Sequence, residues 1–74
     1  MFDPYNYTIT IRKGNFGGEI CFNATILEFP DVAEYGDSFE EVYLLAVDTI
    51  KTTKEIFDEI GRKMPIPNNN IEVK

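Results

Sequence analysis

Nucleophilic catalysis of the triad type needs a base beside its nucleophile, and this chain has no histidine to supply one. Its single cysteine, Cys21, sits between Ile20 and Phe22 in an alternating stretch. That context reads as a small apolar strand residue rather than an activated thiol. One cysteine without histidine also leaves no ligand set for structural zinc. The remaining chemistry lies in carboxylates. Asp31, Glu34, Asp37, Glu40 and Glu41 crowd one short region, and metal-assisted phosphoryl transfer does use clustered acids. Such sites draw their acids from converging buried strand positions. These acids instead fall in a turn and the start of a helix, where negative charge complements the helix dipole. The Gly17-Gly18 pair has neither the lysine nor the following helix of a phosphate loop. The sequence therefore predicts no catalytic residue, no cofactor and no metal, and a protein that is not an enzyme.

Acids that do no chemistry still create a field. Thirteen acidic residues stand against seven basic ones, a net charge of -6, with a pI near 4.4. Such a surface is repelled by phosphate backbones and anionic membranes and attracts basic partners. Direct nucleic-acid binding by this chain alone is disfavoured. With 74 residues and 43% hydrophobic content, the chain is expected to be one folded domain, 1–74, with a core of limited size. It has no disulfide to staple that core, so a homo-oligomer, dimer or tetramer, is expected to supply the missing burial. Neither a signal peptide nor a membrane-spanning run is legible, which predicts a cytoplasmic protein.

The elements that must carry these residues follow from periodicity. Tyr5, Tyr7, Ile9 and Ile11 alternate with Asn6, Thr8 and Thr10, a strand signal. Gly14 to Gly18 reads as a turn. A second strand runs from Glu19 to about Phe29, with Ile20, Phe22, Ala24 and Ile26 on the inner face. Leu27 and Phe29 fall on the other face, where they could meet a partner. Pro30 ends that strand by removing a ladder donor. Val32 to Tyr35 forms a short third strand closed by Gly36-Asp37.

Ser38 with Glu41 makes an S-x-x-E capping box. Phe39, Val42, Ala46, Thr49, Ile50, Thr53, Ile56, Phe57 and Ile60 then recur at helical spacing up to a stop at Gly61. Met64-Pro65-Ile66-Pro67 cannot be helical, and 67–74 reads as either a loop or a short terminal strand at 71–73. The fold class is α+β: a three-stranded antiparallel sheet, with that terminal segment as an optional fourth strand, and one long helix on one face.

The order of these motifs resembles the HicB antitoxin family. The resemblance rests on a strand running into Glu28-Phe29-Pro30-Asp31, the helix start Gly36-Asp37-Ser38-x-Glu40-Glu41, and Pro65-Ile66-Pro67 after the helix. It covers roughly residues 7–67. Val42 stands where the family commonly has alanine, and the stretch between Pro30 and Gly36 is shorter than in many members. Many members continue into a DNA-binding domain, for which the sequence to Lys74 has no counterpart. The resemblance implies a β-β-β-α-β module similar to a partial RNase H-like fold without its catalytic acids. It further implies a partner, a small basic HicA-type toxin, which is an mRNA endonuclease whose active site the module blocks.

Charge and position, rather than any family motif, nominate the contacts: the acidic corner Asp31, Glu34, Asp37, Glu40 and Glu41, with Tyr35 as an aromatic anchor. The expected function is an antitoxin-like binding module acting by protein–protein contact. The alternative is a stand-alone structural or regulatory homo-oligomer of the same fold with no toxin.

Overall fold

The computed structural model describes residues 2–67, so the expected terminal strand at 71–73 lies outside the described residues. A short 3-10 turn, η1 (Pro4–Asn6), precedes three strands, β1 (Ile9–Phe16), β2 (Glu19–Ile26) and β3 (Phe29–Gly36), and one helix, α1 (Phe39–Ile60). The strands form an antiparallel sheet in the order β1-β2-β3, and α1 packs across one of its faces. The chain is thus the β-β-β-α arrangement that its sequence pattern predicts.

The boundaries differ from that pattern in instructive ways. The first strand begins at Ile9, not Tyr5. Asp3 accepts the Tyr5 amide through its side chain at 2.9 Å, and Pro4 occupies the first position of the 3-10 turn. Local capping thus wins over the alternation of Tyr5 and Tyr7. The strand also runs further, through Gly14 to Phe16, which pairs with Glu19. Only Gly17 and Gly18 make the turn, at φ 67° and 88°. Two consecutive positive φ values are what a two-residue type I′ hairpin needs to match the strand twist. Asn15 closes it by accepting the Gly18 amide at 3.1 Å.

The second strand ends at Ile26 rather than Phe29. Leu27 and Glu28 form the next turn, and Phe29, expected on the outer face, packs against the core. Pro30 does not end a strand but lies inside β3. The ladder jumps from Ile26↔Phe29 to Thr25↔Ala33, leaving Pro30, Asp31 and Val32 as a bulge with no partner on β2. A bulge on an edge strand asks no donor of its proline.

Ser38 caps α1 as expected, with its hydroxyl accepting the Glu41 amide at 3.1 Å, while Glu41 returns a bond from the Asp37 amide at 2.9 Å. Gly61 ends the helix in the left-handed region at φ 74°. The core lies between β2 and α1 and consists of Ala24 and Ile26 against Val42, Ala46 and Ile50, with Tyr7 closing one end. At Gly36 a Cβ would come within 3.3 Å of the Val42 amide nitrogen, so glycine lets β3 meet the first helical turn closely.

Part of the expected inward stripe is not buried. Phe39, Ile56 and Ile60 are half or more exposed, at 53%, 50% and 62%. A helix of 22 residues is about 33 Å long, whereas strands of eight residues reach about 27 Å. The helix therefore outruns the sheet, and three strands are too narrow to cover both of its flanks.

Candidate functional site

The six nominated residues do not form one patch. Asp31 projects from the β3 bulge and is exposed. Tyr35 lies two positions beyond Ala33, opposite Asn23 and on the sheet face away from the helix. Its ring is 53% exposed and meets Phe16 edge-on at 5.4 Å. Glu34 points to the opposite side. Its carboxylate accepts the Thr49 hydroxyl at 2.5 Å, which fastens β3 to the helix. Alternation along β3 puts Glu34 on the helix side, away from Asp31. Asp37 and Glu41 belong to the capping box, and the Glu41 carboxylate is engaged by the Asp37 amide. Glu40 is exposed in the first helical turn. Asp37 and Glu40 are thus open to solvent at the junction of β3 and α1, Asp31 is open to solvent at the other end of β3, and Tyr35 is turned to the outer sheet face.

Two other acidic or aromatic groups that could pass for functional are structural. Glu28 accepts the Thr8 amide at 3.0 Å and its hydroxyl at 3.3 Å, tying the β2–β3 turn to the residue before β1. Tyr7 is buried, stacks on Phe29 at 5.9 Å, and donates its hydroxyl to the Pro65 carbonyl at 2.8 Å. Burial, reinforced by the nearby Glu28 carboxylate and partly offset by Lys54, raises the Tyr7 phenol above its ordinary pKa.

Sequence reasoning missed the outer side of the helix. Leu44 and Leu45 are 62% and 37% exposed, although nothing in the inward pattern named them. A shallow groove of about 420 Å³ lies beside them, lined by Tyr5, Glu41, Val47, Asp48 and Lys51 as well. The available signal was the position of both leucines off the main stripe, flanked by the acids of the outward face.

Among the described residues, no group of three histidine, cysteine, aspartate or glutamate side chains is placed to hold a metal ion. No helix among them is long and apolar enough to cross a membrane. No family model, curated protein or solved structure matches the chain.

Proposed function

We propose that this chain is an antitoxin-type binding module, similar to the HicB family, that neutralises a small basic ribonuclease of the HicA type in the cytoplasm by covering its active site. The observation that carries the reading is the set of solvent-facing acids along one strand and the helix start, with Asp37 and Glu40 exposed where β3 meets α1 and Asp31 exposed in the bulge at the other end of β3, on a chain of net charge -6. A basic ribonuclease must carry a positive surface to hold RNA, and an acidic module competes for that surface. The motif order from Phe29-Pro30-Asp31 through Ser38-x-x-Glu41 to Pro65-Ile66-Pro67 agrees with this partner.

The test is neutralisation. Co-expression with a HicA-type ribonuclease should restore growth of cells that the ribonuclease alone arrests, and the purified pair should bind with salt-dependent association. Changing Asp31→Asn, Asp37→Ser and Glu40→Gln together should slow association without unfolding the chain. Absence of both rescue and binding would remove the antitoxin reading. The second reading, a homo-oligomer without a toxin, draws on Ile20, Leu27 and Leu44, which stay more than half exposed and which self-association would cover.

A further inference from the structure

The outward half of α1 carries two adjoining stripes. At about 100° per residue, Glu41, Asp48, Glu55 and Glu59 project within an arc of roughly 40°, and all four are exposed. Next to them, within a further arc of roughly 60°, come Leu45, Ile56 and Ile60, which are 37%, 50% and 62% exposed. Thr49 shares that second arc, and its bond to Glu34 shows that this flank faces β3. The apolar ridge therefore runs along the seam between the helix and the β3 edge, with acids on its solvent side. Lysine appears only at the far border of the acidic stripe, where Lys51 lines the groove with Tyr5.

This charge pattern selects the occupant. A second copy laid antiparallel along the ridge would bring acidic stripes together, and like charges at that spacing oppose association. An amphipathic helix with apolar residues on one face and lysine or arginine on its flank meets both stripes favourably. From Leu45 to Ile60 the ridge spans about 22 Å, the length of roughly four turns of such a helix. Resting on the antitoxin reading, we propose that the α1 ridge formed by Leu45, Ile56 and Ile60, with its acidic flank, is the docking surface for a basic amphipathic helix of the toxin partner. The capping corner then serves to steer encounter, while the ridge holds the complex.

The experiment uses the whole chain and two probes: a HicA-type ribonuclease, and a synthetic four-turn leucine/lysine amphipathic helix, with a leucine/glutamate helix of the same pattern as control. Ile56→Ser and Ile60→Ser alter exposed side chains, and circular dichroism establishes that the variants stay folded. Each should raise the dissociation rate of both basic probes by about tenfold or more, the loss expected for a central apolar contact. Glu55→Lys with Glu59→Lys should slow association and flatten its salt dependence. The control helix should not bind. Unchanged dissociation in Ile56→Ser and Ile60→Ser, with the ribonuclease still bound, overturns the ridge while leaving the antitoxin function intact. Binding of the basic helix at the ridge, with no binding of any HicA-type ribonuclease tested, supports the surface and removes the antitoxin reading. If ultracentrifugation shows that Ile56→Ser abolishes a homodimer of the parent chain, the ridge is a self-interface and the proposal fails.

Discussion

Tyr7 shows how much one side chain can organise in a chain of this size. Its ring sits among Phe2, at 6.2 Å, and Phe29, at 5.9 Å, and Phe29 in turn meets Phe57 edge-on at 6.3 Å. The hydroxyl reaches Pro65, so one residue links the N-terminal turn, β3, the helix end and the segment beyond it. Tyr7→Phe keeps the ring contacts and removes that hydrogen bond, with an expected loss of about 0.5–1.5 kcal/mol in urea unfolding. The pH dependence has a definite sign. The folded phenol is raised above its unfolded value of 10.0, so the unfolded chain releases this proton first. The stabilisation is fully present below about pH 10 and is lost as pH rises through the folded value. Absorbance titration should show a phenol ionising above the ordinary tyrosine value, and that late step should vanish in Tyr7→Phe. A late step that persists there would assign it to another tyrosine.

The helix is the element whose ends are built most explicitly. Ser38→Ala removes the acceptor of the Glu41 amide and should cost about 0.5–2 kcal/mol. For a domain this small that lowers the melting midpoint by about 4–8 °C per kcal/mol, at fixed protein concentration. Gly61→Ala places a Cβ at φ 74° and should cost about 1 kcal/mol. An unchanged midpoint in both variants would mean that neither cap limits stability. Ser38, Glu41 and Gly61 were readable in the sequence because a cap is a local pattern of residue types. The strand ends were less so. Whether Tyr5 began a strand depended on Asp3 capturing its amide, and whether Pro30 ended one depended on a bulge that only pairing with β2 reveals.

For the molecule as a whole, the deciding quantity is what a narrow sheet leaves uncovered. Three strands bury the centre of α1, where Val42, Ala46 and Ile50 have no exposed surface. Ile50→Ala there should cost about 2–5 kcal/mol, a large part of the stability of a chain this short. Among the described residues, β1 and β3 are the edges of the sheet, and Phe16 meets Tyr35 edge-on over its outer face. Self-association through that face and those edges is the expected route to an oligomer, so sedimentation equilibrium at micromolar concentration should give a mass above 8.5 kDa. Ile56→Ser should leave that mass unchanged, because the acidic flank keeps the helix ridge from pairing with itself. A clean monomer across the range would exclude the oligomer.

By itself the sequence determined the element order, the two helix caps, the acidic field and the absence of histidine, because each is a property of residue type or of spacing within one turn. Only the tertiary structure decided which acids are free. Glu34 and Asp31 stand three residues apart on one strand, yet β3 turns Glu34 to Thr49 and holds Asp31 out in the bulge. Likewise, Phe57 and Ile56 are neighbours in the sequence and on the helix, but Phe57 packs on Phe29 while Ile56 stays half exposed. Periodicity tells which residues share a helix face. The width and length of the sheet beneath it set how much of that face is covered.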